Sequence, residues 1–359
     1  MKKLIFPILG LLVLFGCKKD APPPEPSEPP PLWMSGPSEP TAMTIINPYQ
    51  SLNGEREWTL DEELVIPGKR EGEYTLGGLI RDLEIDGEGR ILVLDRLNGC
   101  VRVFDGGGRY LRSIGRSEQD PGDMTEAEAF AVDTSGRIHI VHVPKYDIRG
   151  RVLTVFTPEG EVLRTLALEE RIGPFDFASD GHIVARVWDG KNNQEIVLYD
   201  ENMKRLKTIA SYPAPKPAAT DSRENSAAFA EKPGLLLGFL KAHGFVYSGP
   251  AEHHLNTLNS RGDPNYRIEK DSLKLDLDTH LVFLGGDAAG NIYAVRIPSD
   301  ESFFKDRKMF VDLYDEEGRY NRKITADAFA ILEITKDAVF GLRFRDPHPP
   351  DIVKFKHNL

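Results

Sequence analysis

The stretch DGEGRILVLDRLNGCVRVFDGGGRYLRSIG, residues 86–115, decides the fold. It holds two glycine turns, which end at Gly89 and Gly108, and each turn is followed by a short run rich in aliphatic and aromatic residues. In these runs apolar and polar residues alternate with the two-residue period of a pleated strand. The stretch therefore predicts short antiparallel β-strands joined by tight turns.

The same pattern recurs along the chain. A strand, a glycine turn and a second strand occur at residues 83–95, 130–142, 175–187, 284–296 and, more weakly, 331–344. A second pair of strands follows the first four of these, at 101–115, 153–168, 196–210 and 311–325. The spacing of about 45 residues is typical of the four-stranded blade of a β-propeller. Six blades fit, beginning near Ile80, Ala129, Pro174, Gly234, Leu281 and Ala328.

The last blade has only three strands of its own and ends in DIVKFKHN, residues 351–358. One spare strand, EWTLDEELVIP at residues 57–67, precedes the first blade. If this strand completes the last blade, the ring closes and no sheet edge is left exposed at the joint. The sequence thus predicts an all-β fold: a six-bladed β-propeller of four-stranded antiparallel blades over residues 57–359, closed by an N-terminal strand.

The first blade resembles the NHL repeat. Asp95 and Asn98 occupy the Asp-x-x-Asn step of that repeat, and Phe104 and Asp105 its later aromatic-Asp strand. The other blades match in part and lack the Asp-x-x-Asn pair. The resemblance implies a propeller fold, but no activity, because propellers carry many functions.

The N-terminus is typical of a bacterial lipoprotein. Lys2 and Lys3 precede an apolar run at residues 4–15, which is too short to span a bilayer. The sequence LFGC that ends at Cys17 resembles a lipobox, which implies a signal peptide at 1–16 and lipidation of Cys17; an ordinary signal peptide is the alternative. Residues 17–56 are proline-rich at first and are expected to form a tether. Lys18 after the cysteine favours the outer membrane, so we expect a lipid-anchored envelope protein.

Net charge and cysteine content limit the classes of partner and chemistry that the sequence can support. The formal net charge of −11 argues against nucleic acid as a partner, since nucleic-acid binding requires a basic face. Besides Cys17 the chain has one cysteine, Cys100, in an apolar run, and we expect it to be a small buried residue.

The long connections of the predicted blades all lie on one face. They join second to third strands and one blade to the next, and binding residues are commonly carried on such loops. Candidate binding residues on this face are Lys145, Tyr146, Arg149, Trp188, Phe303, Phe304, Arg307 and Arg345, with Lys305 and His348 beside them. Exposed aromatic residues beside arginines suit a binding surface. Residues 221–232, inside the longest connection, have the composition of a short helix.

No catalytic or metal-binding set stands out. His139 and His142 are three apart on one strand and therefore point to opposite faces. Glu84 and Asp176 fall at equivalent blade positions, but the alignment places Ala131, Gly285 and Leu332 there in other blades, so no acidic ring is predicted. We expect no cofactor and no metal. The leading hypothesis is a binding or scaffold module for a protein, peptide or glycan. The alternatives are a metal-dependent hydrolase or lyase at the channel mouth, resembling lactonases or amidating lyases, and a structural envelope component.

Overall fold

The regular elements of the described residues are all β-strands, and none of these residues forms a helix that could cross a membrane. The computed structural model describes residues 43–47, 51–57, 60–115, 124–144, 150–190, 193–213, 235–240, 244–249, 254–270, 279–287, 289–298, 308–327, 330–335, 337–345 and 348–357. Gly36–Leu359 form one compact unit, and the predicted signal peptide and Cys17 lie outside the described residues.

Five short strands precede the first blade: β1 (Met43–Asn47), β2 (Glu55–Glu57), β3 (Leu60–Ile66), β4 (Lys69–Arg70) and β5 (Tyr74–Thr75). Blade 1 consists of β6 (Ile80–Ile85), β7 (Ile91–Asp95), β8 (Cys100–Phe104) and β9 (Tyr110–Ile114). Blade 2 consists of β10 (Met124–Val132), β11 (Ile138–Pro144), β12 (Arg151–Phe156) and β13 (Val162–Leu168). Blade 3 consists of β14 (Arg171–Phe177), β15 (Ile183–Trp188), β16 (Asn193–Tyr199) and β17 (Arg205–Pro213).

The remaining blades follow the same order. Blade 4 consists of β18 (Leu236–Phe239), β19 (Phe245–Ser248), β20 (His254–Leu258) and β21 (Pro264–Lys270). Blade 5 consists of β22 (Thr279–Gly286), β23 (Ile292–Pro298), β24 (Lys308–Tyr314) and β25 (Tyr320–Asp327). Blade 6 consists of β26 (Ala330–Ile334), β27 (Ala338–Arg345) and β28 (His348–His357), and its sheet is completed by β3.

The ring is closed by the N-terminal strand, as the sequence predicted. Strand β3 pairs antiparallel with β28, from Leu60 opposite His357 to Ile66 opposite Ile352. The six hydrophobic clusters of the core each lie at one junction between neighbouring blades. One of them joins Phe340 of blade 6 to Val93 of blade 1, so blades 6 and 1 meet like the other pairs.

The recurring Asp-Gly turns explain why the blades could be predicted from the sequence. Oδ1 of Asp86 accepts hydrogen bonds from the backbone N–H groups of Glu88 and Arg90, and its Oδ2 accepts one from Nε of Arg90 at 2.6 Å. Gly89 closes the turn with φ of 74°, in the left-handed region that glycine adopts without strain. Asp133 and Asp315 hold their turns in the same way, which fixes each hairpin locally.

Two strands lie ahead of residue 57, where the propeller was expected to begin. Strand β1 pairs parallel with β21 of blade 4, and β2 pairs parallel with β25 of blade 5, so both of these sheets have five strands. Between them, Asn47 donates to the Gly318 carbonyl and accepts from the Tyr320 N–H. Strands β1, β2 and β3 are therefore paired with the outer strands of blades 4, 5 and 6 in turn.

Candidate functional site

The two faces of the ring differ. Turns between first and second strands and between third and fourth strands lie on one side, which we name the short-turn face. Connections between second and third strands and between blades lie on the other, the long-loop face. Of the predicted binding residues, Lys145, Tyr146, Arg149, Phe303, Phe304 and Arg307 lie outside the described residues, as do Lys305 and 221–232. Trp188 and Arg345 end strands β15 and β27 at the long-loop face, and the backbone of Arg345 pairs with His348.

Trp188 belongs to a row of four side chains that crosses blade 3 at its long-loop end. Successive cross-strand partners are Arg171, Trp188, Gln194 and Tyr212, on β14, β15, β16 and β17. Residues directly opposite one another in antiparallel strands project to the same side of the sheet. The row therefore starts from the side of the sheet that faces blade 4, although the guanidinium of Arg171 extends to Glu128 of blade 2.

The outer half of the row holds blade 4 in place. Oε1 of Gln194 accepts the Leu235 N–H at 2.8 Å, and Nη1 of Arg186 donates to the Leu235 carbonyl at 2.8 Å. Tyr212 lies over Gly249, where a Cβ atom would be 2.4 Å from the phenol ring. Gln194 and Tyr212 thus have a structural role at the junction between blades 3 and 4.

The inner half of the row, Arg171 and Trp188, forms a different kind of contact. The guanidinium carbons of Arg171 and Arg186 lie 5.1 and 5.0 Å from the centroid of the Trp188 ring, within cation–π range. The indole is half-buried, and the side chain of Arg171 is 50% exposed. Arg171 is on β14, the inner strand of blade 3, and Trp188 is on the adjacent strand β15. Arg171 and Trp188 therefore lie at the channel end of the row.

Further arginines and two glutamates surround this pair. Glu128, whose carboxylate is buried, accepts hydrogen bonds from Nε and Nη2 of Arg151 at 2.7 and 3.1 Å, and Nη2 of Arg171 lies 3.8 Å away. Arg96 pairs with the exposed Glu126 at 3.2 Å. We name this set the basic mouth; its members are Arg96, Glu126, Glu128, Arg151, Arg171, Arg186 and Trp188. It has an excess of positive charge in a chain whose formal net charge is −11.

Sequence reasoning found only Trp188 of the basic mouth. Arg151 and Arg171 are the first residues of their strands, and Glu126 and Glu128 lie near the start of β10. Their positions at the long-loop ends of strands could have been noted from the predicted blades. Their interaction partners could not have been predicted, because these depend on the register between strands and on the approach of neighbouring blades.

The inner strands carry acidic residues nearer the short-turn face. In three blades the second cross-strand pair, counted from the turn between the first two strands, has an acidic residue on the inner strand. These pairs are Glu84 with Leu92, Asp176 with Val184 and Glu333 with Phe340. The alignment that placed Leu332 at this level was wrong by one residue, because the turn of blade 6 is shorter. Ala131, Gly238 and Gly285 occupy the level in the other blades, so three of the six positions are acidic.

The two histidines of β11 are separate, as expected from their spacing. Nε2 of His139 lies 3.1 Å from Oδ2 of Asp133, whereas Nε2 of His142 lies 2.9 Å from Oγ1 of Thr154. Burial lowers the pKa of both imidazoles below the ordinary value. Within the described ranges no group of three or more histidine, cysteine, aspartate or glutamate side chains is arranged to hold a metal ion.

The Asp-x-x-Asn step of blade 1 is structural. The buried carboxylate of Asp95 accepts hydrogen bonds from Gly77 N–H at 3.1 Å, Asn98 Nδ2 at 2.7 Å and Arg102 Nε at 3.2 Å. These bonds tie the connection between second and third strands to the chain that enters blade 1. Cys100, at the start of β8, is fully buried, as predicted.

Two exposed apolar side chains on the long-loop face were also missed. Leu97, after β7, and Phe344, near the end of β27, are each 60% exposed. They occupy the same region of the neighbouring blades 1 and 6. Exposed large apolar residues near arginines add to the character of a contact surface.

The fold defines the protein as a six-bladed β-propeller. A family model described as a 6-bladed beta-propeller, DUF5128, matches residues 74–155. A Bacteroides fragilis protein classed as exported is similar in structure, with a TM-score of 0.55 and 13% identity over 88% of this chain and 100% of that one. A member of the DUF4221 family from Bacteroides vulgatus gives a TM-score of 0.51 and 11% identity over 85% and 99% of the two chains. At these identities the similarity shows the fold alone. No curated protein matches the sequence.

Proposed function

We propose that this protein is a binding module of the bacterial cell envelope. Lipidation of Cys17 anchors it to a membrane, the outer membrane in our proposal, and the long-loop face of the propeller takes up a protein, peptide or glycan. The observation that carries this proposal is the stacking of the half-exposed Arg171 on Trp188 at the channel end of blade 3. Tryptophan and arginine are the side chains most enriched where binding energy is concentrated.

The setting of this pair supports a binding role. Arg171 and Trp188 project from strands of a rigid blade and not from a connecting loop, so little conformational entropy is lost when they bind. Leu97 and Phe344 extend apolar surface over blades 1 and 6 of the same face.

Site-specific photo-cross-linking in intact cells tests the proposal. A photoreactive residue replaces Leu97 or Phe344 on the long-loop face, and the matched controls replace Leu163 or Leu206, exposed residues of the outer strands β13 and β17. We expect a discrete adduct from Leu97 and Phe344 that is lost when Trp188 and Arg171 are both replaced by alanine. The control positions should give no adduct.

Two outcomes would contradict the proposal. Adducts that form only at Leu163 or Leu206 would place the contact surface on the rim. Adducts at Leu97 that are unchanged by the Trp188 and Arg171 replacements would leave the long-loop face in use but remove the basic mouth from the site.

A further inference from the structure

If the proposed binding function holds, the side chains of the basic mouth indicate the chemical class of its ligand. Glu128 already accepts two short hydrogen bonds from Arg151, so its carboxylate is largely neutralised before Arg171 is counted. Arg171 stands 3.8 Å from the same carboxylate, beyond hydrogen-bond distance. The guanidinium of Arg171 also stacks on the indole of Trp188. The Arg171 side chain is 50% exposed, so its N–H groups can be reached by a ligand.

The orientation of the Arg171 guanidinium is also fixed before a ligand binds. The group lies over the indole, which is itself kept in position by Arg186 and by the close approach to Gly173. An arginine whose planar group is already oriented loses less entropy when it forms the two parallel bonds that a carboxylate accepts. Because the arginine charge persists at all physiological pH values, the site is suited to a permanent oxyanion.

The surrounding charges restrict which oxyanion fits. The carboxylate of Glu126 is exposed and adjacent to Arg96, and Glu128 lies beside Arg171. A ligand in this mouth therefore meets acceptors as well as donors. The acidic side chains of a peptide offer this mouth acceptors alone, whereas a ring that carries one carboxylate among several hydroxyl groups satisfies both kinds of partner.

We propose that the basic mouth binds a uronic-acid residue of a polysaccharide. The ligand carboxylate accepts hydrogen bonds from Arg171, and ring hydroxyl groups donate to the carboxylate of Glu126. The indole of Trp188 holds the arginine in place and excludes water from one side of it.

Binding of defined oligosaccharides to the full-length protein tests this inference. The probes are oligosaccharides of galacturonate, glucuronate and mannuronate, with neutral galactose oligosaccharides of equal length as the reference, and calorimetry measures affinity. We expect binding of at least one uronate series and no binding of the neutral series. Arg171→Gln, which keeps the size but removes the charge, should weaken uronate binding by about tenfold or more. Raising the salt concentration should weaken it as well.

The matched control is Arg109→Gln, in an exposed turn of the short-turn face, which should leave uronate binding unchanged. Equal affinity of the wild type and the Arg171→Gln variant, with both folded by melting temperature, would overturn the inference. So would the absence of binding to all three uronate series. If an acidic peptide binds instead and depends on Arg171, the ligand class is wrong while the proposed binding function stands. If the cross-links at Leu97 and Phe344 also fail, the binding function itself falls.

Discussion

A Cβ atom at position 173 would lie 2.8 Å from the indole of Trp188. The ring occupies the space that a side chain on β14 would fill, and this lets it lie between Arg171 and Arg186. The backbone of Gly173 is not in the left-handed region, and besides the indole the Arg186 carbonyl oxygen, at 3.3 Å, would be close to an alanine side chain. The glycine therefore sets the position of the aromatic ring at the site.

Gly173→Ala should displace the indole and disturb the stacking of Arg171, with a stability loss of about 1–2 kcal/mol from overpacking. We expect weaker ligand binding and a shifted Trp188 emission, measured in a variant whose Trp33 and Trp58 are replaced by phenylalanine. Gly87→Ala, in a turn where a Cβ atom meets nothing within 4 Å, is the control and should change neither property. An unchanged emission in Gly173→Ala would show that the ring does not depend on this glycine.

Ring closure can be tested with one side chain. Ile66 of the closing strand is 1% exposed and packs in the cluster between blades 6 and 1. Ile66→Ala should lower the free energy of unfolding by about 2–4 kcal/mol, since it leaves a cavity in that cluster. The same substitution at Ile46 of β1, which is 68% exposed, should cost less than about 0.5 kcal/mol. Equal chemical denaturation midpoints for the two variants would contradict a closing role for β3.

Asn47 should control the attachment of the first two strands. It is buried, and its side chain bonds both Gly318 and Tyr320 of blade 5. Asn47→Ala leaves the Tyr320 N–H without this partner, at a cost of about 1–3 kcal/mol. We expect faster hydrogen exchange in residues 43–57, with the exchange of β3 unchanged. Asn53→Ala, at an exposed position, is the comparison, and equal exchange in both variants would argue against the bridging role.

The buried His142 predicts acid sensitivity. Burial lowers the pKa of its imidazole in the folded state, so below the ordinary value of 6.5 the unfolded chain binds a proton that the folded chain does not. Stability should therefore fall as the pH is lowered through about 6.5. His142→Gln should reduce the drop in melting temperature between about pH 7.5 and pH 5.5. A full drop in melting temperature for His142→Gln would assign the effect to other groups.

Lipid anchoring is tested at Cys17. Cys17→Ser should prevent acylation, so that the chain is unprocessed or leaves the membrane fraction on washing with salt. Wild-type processing and membrane retention of this variant would contradict lipidation. Recovery of the wild-type protein with inner membranes on a density gradient would contradict the outer-membrane proposal.

The sequence predicted the blades because their turns are local. Asp86 and Gly89 define a hairpin through contacts within five residues, and the same pattern recurs around the ring. Strand β1, in contrast, consists of five residues that pair in parallel with a strand more than 200 positions later, and no local pattern records such pairing. The site was missed for a related reason. Arg171 is an ordinary strand residue in the sequence, and its significance comes from Trp188 and Glu128, which the fold brings to it.

The position of β3 has a consequence for biosynthesis. The closing strand is made early, whereas its partner β28 is the last of the described strands; Gly68 and Asp351, which meet at this seam, are separated by 283 positions. The hairpins of single blades can form from local chain, but the ring cannot close until β28 has been made. Closure of the ring therefore waits for blade 6, and until then the edge of β3 has no partner from that blade.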